Sequence, residues 1–208
     1  DGTLHMAEDV NIGFTVHSKF GVIKPILKNA HLKTIETVAK EMRDLSRRAR
    51  RTDANELYGR VARMYLKTAI RQLDLSGYKA LWIWLRHCLW PRYPIDPAFR
   101  DVAEEDKLRP EEVMGSTVTI ANIGMMVQAH QTVTVIIPPE VMMFGIGDLH
   151  LAPLVVDGKV VPRSVVTVAA TLDHRALDGG DVFPFVELLR QYIDEPARIY
   201  EWKPGDEI

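Results

Sequence analysis

The spacing of hydrophobic residues along the chain switches between two periods, which predicts a mixture of strands and helices. Short runs rich in β-branched residues have the length and composition of strands. These runs occupy residues 10–16, 22–27, 118–123, 132–137, 141–146 and 165–172. Apolar residues that recur once per helical turn predict helices at 34–51, 55–73 and 181–194.

Turn-forming residues and the apolar face of the last helix add detail to this prediction. The Asp157-Gly158 dipeptide, between the apolar runs 154–156 and 159–161, favours a tight hairpin. The closing helix has a row of apolar residues that we expect to face the core: Val182, Phe185, Leu188, Leu189 and Ile193. The order of strands and helices predicts one α+β domain with a mixed sheet.

Composition narrows the class of protein. A hydrophobic content of 47% and a formal net charge of -2 fit neither a disordered segment nor a nucleic-acid binder with a strongly basic face. The single Cys88 excludes an intramolecular disulfide, so the cytoplasm or an equivalent reducing compartment is expected. No signal peptide is recognisable, and no apolar run reaches the roughly 20 residues that span a bilayer. We therefore expect a soluble globular protein.

The segment 171–180 carries the strongest chemical signal. His174 follows a predicted strand, Asp178 stands four residues later, and Gly179 and Gly180 suit a tight turn. Imidazole is suited to proton abstraction near neutral pH, as an attacking thiol or hydroxyl requires. The alternative interpretation is a surface histidine in a strand-to-helix turn, with the aspartate capping the helix.

Four segments carry motifs that occur in the same order in one enzyme family. The first joins residues 10–16 to a Gly-x-x-x-Pro motif within 20–26. The second, 111–124, ends in Ala-Asn-Ile-Gly, and the third, 137–147, begins with Ile-Pro-Pro. The fourth, 173–179, reads Asp-His-Arg-Ala-Leu-Asp-Gly. Together they resemble the catalytic domain of the dihydrolipoyl acyltransferases of 2-oxoacid dehydrogenase complexes.

This resemblance implies a chloramphenicol acetyltransferase-like fold and a CoA-dependent transferase. The expected reaction moves an acyl group between coenzyme A and a thiol such as dihydrolipoamide, with the lipoyl group supplied in trans by another protein. His174 is the implied general base and Asp178 the residue that supports it, with Arg175 and Gly179 supporting the turn. The resemblance further implies a homotrimer or larger assembly, in which His174 of one chain faces residue 121 of its neighbour.

The oxyanion position departs from the family pattern. The residue before the asparagine is usually a serine whose hydroxyl stabilises the tetrahedral oxyanion, and here it is Ala121. Asn122 and Gly124 are the implied substrate-channel residues. Strand parity puts Thr119 on the same face as Ala121, which makes it an alternative donor. The chain is then a weakened acyltransferase, one that uses another donor, or a noncatalytic assembly scaffold.

Two further departures from the family pattern, one at the N-terminus and one within the chain, predict partner proteins. Family members have a further N-terminal portion, so we expect a processed or partial product, or a second polypeptide that supplies those elements. Residues 52–106 lack a counterpart and read as an inserted helical segment, with three of the four tryptophans between 78 and 90. The insert is interpreted as a hairpin packed on its own domain, a protein-docking surface, or a peripheral membrane contact. It would also be placed to reshape the acyl pocket.

The histidines and the basic run at the end of the first predicted helix both have simple structural interpretations. Sequence spacing gives the histidines no close ligand partners, so no metal site is predicted for His17, His31, His130 and His150. The basic run 47–51 is interpreted as a solvated helix end, with attraction to coenzyme A phosphates as the alternative.

Overall fold

A computed structural model describes residues 6–19, 21–71 and 96–201, together with residues 82 and 203. The described chain divides into two compact units. The sheet unit comprises residues 1–15, 27–39 and 116–208, and the helical unit comprises 16–26 and 40–115. Most of the tryptophan-rich segment predicted at 78–90 lies outside the described residues, so its role stays a prediction.

The described elements follow the predicted order. The strands are β1 (Ile12–Phe14), β2 (Val16–Ser18), β3 (Gly21–Ile23), β4 (Ile26–Leu27), β5 (Val118–Asn122), β6 (Met142–Ile146), β7 (His150–Val156), β8 (Lys159–Val165) and β9 (Val168–Leu172). The α-helices are α1 (Ile35–Arg50), α2 (Ala54–Arg71), α3 (Gly179–Asp194) and α4 (Ala197–Glu201). Among the described helices, none is both long and apolar enough to cross a membrane.

A five-stranded mixed sheet positions the candidate site residues. Its strand order is β4-β1-β5-β6-β9, where β1, β5 and β6 run parallel and β9 runs antiparallel to β6. The register places Ala121 beside Gly145 and Gly145 beside Ala169. Thr119 and Ala121 are both buried on one face of β5, as strand parity predicted. The predicted α+β class with a mixed sheet is therefore confirmed.

The β7–β8 hairpin confirms the turn prediction and extends it. Asp157 has a φ of 51° and Gly158 a φ of 74°, the left-handed conformation that a two-residue hairpin turn requires. The ladder continues from this turn to the pairing of His150 with Val165. Val165 thus ends β8, and the predicted strand 165–172 begins only at Val168.

The run 132–137 was predicted as a strand and forms none. Thr132 and Thr134 are buried, whereas Val133 and Val135 are 86% and 80% exposed. The threonine methyl groups pack over Gly145, where an added Cβ would lie 2.8 Å from the Thr134 methyl carbon. This segment therefore crosses the face of β6 and inserts into no described ladder, which is why its alternating pattern was misleading.

The inner face predicted for the closing helix is wrong in part. Val182 is buried, but Phe185 is 45% exposed and Ile193 is 58% exposed. The Phe185 ring lies 5.8 Å from that of Phe144, so it covers the edge of the core without entering it. Leu188 and Leu189 are half-buried, so the predicted face is covered at some of its positions and exposed at others.

Ion pairs hold the helical unit together and use the basic run at the end of α1. Arg48 is bidentate on Glu112, with nitrogen–oxygen distances of 2.6 and 2.7 Å, and its side chain is only 12% exposed. Arg47 and Arg51 both pair with Asp106. The interpretation of this run as a solvated helix end is therefore wrong for Arg48, whereas the other three arginines of the run are exposed.

Candidate active site

The turn after β9 is braced by an ion pair between near neighbours. The Asp173 amide donates to the Val141 carbonyl at 2.8 Å, which ties the turn to the start of β6. The Arg175 guanidinium donates to the Asp173 carboxylate at 2.6 and 2.9 Å. Arg175 lowers the pKa of Asp173 to about 2. Because the folded-state pKa is depressed, the pair persists at neutral and mildly acidic pH and is lost only as the pH falls towards that value.

Asp178 is the N-cap of α3. Its Oδ1 accepts hydrogen bonds from the amides of Gly180 at 2.7 Å and Asp181 at 3.2 Å. In turn, the Asp178 amide donates to the Asp181 carboxylate at 3.0 Å, which completes a capping box. The structure thus gives Asp178 the capping role that the sequence raised as an alternative, and it fixes where the helix begins.

We expect Asp178→Ala to lower the stability of the sheet unit by about 1 kcal/mol, the usual effect of removing an N-cap acceptor. Asp178→Asn should have much less effect, because an asparagine carbonyl caps nearly as well. The thermal midpoint, followed by circular dichroism, measures both variants against the wild type. Equal midpoints for the alanine and asparagine variants would show that the cap contributes nothing.

His174 lies between these two braces and is exposed. Among the described residues, no group forms a hydrogen bond with its imidazole, and the carboxylates on either side are committed to Arg175 and to the α3 amides. The chain therefore presents an imidazole on a hydrogen-bonded turn at the end of a strand. Both ring nitrogens remain available to a ligand or to a second chain.

The hydroxyls nearest along the chain to the predicted oxyanion position, those of Thr119 and Ser116, are both engaged. Ala121 is 5% exposed and carries only a methyl group. The Thr119 hydroxyl donates its one proton to Glu140 Oε1 at 2.9 Å, and Ser116 donates to the same oxygen. A hydroxyl has a single proton to give, so the predicted substitute donor Thr119 is already engaged.

Gly124 has a packing role at the end of β5. The Ile123 and Gly124 amides both bond the Ile146 carbonyl, which draws this corner against the end of β6. A Cβ at Gly124 would overlap the backbone of Gly147 and Asp148. Close backbone contact therefore requires glycine here. Asn122, the other predicted channel residue, is exposed beside it.

Sheet direction places His174 and Ala121 at opposite ends of the sheet. Ala121 is level with Ala169 of β9 through the shared register with Gly145. Leu172 lies three residues further along β9, about 10 Å at ~3.3 Å per residue, and His174 follows it. The base and the oxyanion position of one chain consequently do not form a single site.

A cluster that the sequence did not predict lies beyond β6. His130 Nδ1 donates to the Asp148 carboxylate at 2.9 Å, and the His150 ring stacks on that of His130 with centroids 4.0 Å apart. The prediction that His130 and His150 lack close ligand partners is therefore wrong. Asp148 and His150 are close in sequence, but His130 lies 18 residues before Asp148 and is brought to it by the fold, so local spacing did not signal the cluster.

The sequence itself matches a family profile. The profile of the 2-oxoacid dehydrogenases acyltransferase (catalytic domain) family matches residues 1–59 and 98–201. The chain belongs to this family. The unmatched residues 60–97 fall inside the predicted insert 52–106, and the match ends six residues into α2 and resumes within the short helix Pro97–Phe99.

Relatives in the 2-oxoacid dehydrogenase acyltransferase family are longer than this chain. The lipoamide acyltransferase component of the branched-chain alpha-keto acid dehydrogenase complex of Pseudomonas putida is 30% identical over 120 residues. That alignment covers 56% of this chain and 28% of the relative. The chain thus spans little more than a quarter of the length of this relative.

Solved structures of the acyltransferase family share the fold. The dihydrolipoamide acetyltransferase of Azotobacter vinelandii superposes with a TM-score of 0.55 at 20% identity, covering 93% of this chain and 57% of that chain. The cubic core of the pyruvate dehydrogenase multienzyme complex gives a TM-score of 0.54 at 19% identity, with coverages of 93% and 57%. In the Azotobacter enzyme, the residues investigated for the catalytic mechanism are a serine, a histidine and an asparagine four positions after the histidine. The predicted fold is confirmed by these likenesses.

Proposed function

We propose that this chain transfers an acyl group between coenzyme A and a thiol such as dihydrolipoamide. The observation that carries the proposal is the exposed His174 imidazole, held on a braced turn at the end of β9. His174 and Asp178 have the same four-residue spacing as the histidine and asparagine investigated in the Azotobacter enzyme. Family membership supplies the reaction class, and the geometry supplies a base accessible to a substrate.

The proposed step uses His174 as a proton shuttle. A ring nitrogen takes the proton from the acceptor thiol as its sulfur attacks the thioester carbon of the donor. The carbonyl oxygen becomes an oxyanion in the tetrahedral intermediate. As the carbonyl reforms, the bond to the departing sulfur breaks, and the imidazolium returns the proton to that sulfur. Asp178 takes no part in proton transfer and keeps the turn in place.

The site is proposed to form between copies of the chain. His174 and Ala121 lie at opposite ends of one sheet, so a second copy is needed to bring the two features together. Exposed apolar side chains on the sheet unit, such as Val133 and Val135, support burial against another chain. A homotrimer or larger assembly satisfies both observations. The lipoyl group would arrive on another protein.

A second function, a noncatalytic assembly scaffold, is favoured by the missing oxyanion donor. Ala121 offers no hydrogen bond, and the Thr119 hydroxyl is engaged with Glu140. In this alternative the chain keeps the family fold and recruits a partner through the insert 52–106. Arg60 and Glu104, both within the insert, pair at 2.6 Å, and Glu56 of the insert pairs at 3.3 Å with Lys107, the residue that follows it. Those contacts fix the described part of the insert to its own unit.

The two functions are separated by an assay of the assembled full chain. Acyl transfer from a panel of acyl-CoAs to dihydrolipoamide is followed by thioester formation, while light scattering records the mass of the assembly. We expect slow turnover whose rate per chain falls on dilution as the assembly dissociates. Turnover by isolated monomers would contradict the shared site. Complete inactivity of assembled wild type and Ala121→Ser would favour the scaffold.

A further inference from the structure

Two histidines and an aspartate converge beyond the ends of β5 and β6. His130 lies in the connection between these strands, Asp148 follows β6, and His150 is the first residue of β7. One ligand atom from each side chain lies within 4.8 Å of the other two. Among the described residues, this is the one group of three or more histidine, cysteine or acidic side chains whose ligand atoms lie this close together.

The separations suit a metal ion. His130 Nδ1 is 2.9 Å and His150 Nδ1 is 3.6 Å from the same Asp148 oxygen. A zinc ion bonds imidazole nitrogen and carboxylate oxygen at about 2.0–2.2 Å, which puts tetrahedral ligand atoms roughly 3.3–3.6 Å apart. The observed distances bracket this range. Because the two rings are stacked with an interplanar angle of 28°, one ring must rotate before both Nδ1 lone pairs point at one ion.

The backbone beneath the cluster holds its residues in place. The Asp148 amide donates to the Ala129 carbonyl at 3.0 Å, which fastens the two loops that carry the ligands. The Gly147 amide donates to the Thr167 carbonyl at 2.9 Å, and the contact with Gly124 fixes the same corner. The ligand set is therefore built on connected backbone and does not depend on mobile side chains alone.

Exposure and charge favour a cation that enters from one side. The side chains of Asp148 and His150 are 12% and 20% exposed, whereas His130 is 63% exposed and covers the outer side. An aspartate carboxylate is anionic at neutral pH. An inner wall with one negative charge and an accessible outer imidazole is suited to capturing a divalent ion.

We propose that His130, Asp148 and His150 form a binding site for a borderline divalent transition-metal ion, of which Zn²⁺ is the reference. Two imidazoles and one carboxylate suit zinc, cobalt, nickel or copper, and not the all-oxygen preference of calcium or magnesium. Three protein ligands leave a coordination position for water or a ligand. The proposal does not depend on acyl transfer.

Metal binding must displace the present hydrogen bond. The His130 Nδ1–H donates to the Asp148 carboxylate, and the His150 Nδ1–H donates to the Asp148 carbonyl at 3.2 Å. Coordination through either Nδ1 therefore requires the tautomer that carries the ring proton on Nε2. Affinity should therefore fall as the pH is lowered below neutrality, because protonated imidazole cannot bind a metal. A nonspecific carboxylate site would lack this sensitivity in the same range.

The test is titration of the metal-free full chain with Zn²⁺ by calorimetry and with Co²⁺ by visible absorption. We expect one equivalent of metal per chain and the intense visible bands of four-coordinate cobalt. Asp148→Asn, which is nearly isosteric, should weaken Zn²⁺ binding at least tenfold, and His150→Ala should abolish saturable binding. His17→Ala, which removes an exposed histidine of the helical unit, is the matched control and should bind as the wild type does.

Circular dichroism of each variant separates lost binding from lost folding, and Asp148→Asn keeps the test valid if His150→Ala misfolds. The proposal is overturned if the wild type shows no saturable Zn²⁺ or Co²⁺ binding at neutral pH. It is equally overturned if folded Asp148→Asn and His150→Ala bind Zn²⁺ as tightly as the wild type.

Discussion

Replacing His174 by alanine is expected to lower acyl transfer between about 10²- and 10⁴-fold, the usual contribution of a positioned general base. No neighbouring group can replace it, because Asp173 is held by Arg175 and Asp178 by the α3 amides. The rate constant at saturating acyl-CoA should fall with little change in the mass of the assembly. The assay is thioester formation under the conditions used for the wild type.

The control for this variant must separate chemistry from folding. His17→Ala removes an exposed histidine from the other unit and should leave turnover unchanged. Because the brace around His174 uses the side chains on either side of it and not the imidazole, His174→Ala should keep the wild-type thermal midpoint. Turnover that persists in a folded, assembled His174→Ala variant would remove this residue from the mechanism.

Replacing Ala121 by serine is expected to raise turnover by about 10²- to 10³-fold, the effect usually attributed to one oxyanion donor. The added hydroxyl supplies a proton that Thr119 cannot, because the Thr119 hydroxyl is already donated to Glu140. Serine adds only one oxygen atom to the buried alanine, beside Gly145 in the ladder. The gain should appear mainly in the rate constant at saturating substrate.

Ala121→Val is the matched control, since it adds bulk at the same position without a donor. We expect it to match the wild type or to fall below it. If serine and valine change the rate equally, the effect comes from size and the oxyanion argument fails. If neither variant is active in assembled form, the scaffold function is favoured.

Local signals predicted most of the elements that carry these residues. The Asp157-Gly158 dipeptide predicted the hairpin turn that the structure shows. Helix α3 begins directly after Asp178, within two residues of the predicted start. Both features depend on backbone conformation over a few residues, which the residue types themselves favour. For the same reason, the strand-to-helix turn around His174 followed from the sequence.

Features that depend on distant contacts did not follow from the sequence. The alternation at 132–137 looks like a strand, but Thr132 and Thr134 pack over Gly145 and form no described ladder. The apolar row on α3 predicted a buried face, whereas Phe185 and Ile193 are largely exposed. In each case the spacing of apolar residues was recognised correctly. Which residues pack against the apolar face depends on distant parts of the chain, which a local pattern does not identify.

The antiparallel placement of β9 has a consequence for mixed populations of chains. In the proposed assembly, each copy lends its His174 to one neighbour and its β5 end to the other. A copy that has lost only the histidine inactivates the site to which it would supply His174. It still contributes a functional β5 end to its other site. Co-expression of such a variant with the wild type should therefore reduce activity in proportion to its share. A variant damaged at both ends of the sheet should act as a dominant inhibitor, because each incorporated copy disables the sites on both of its sides.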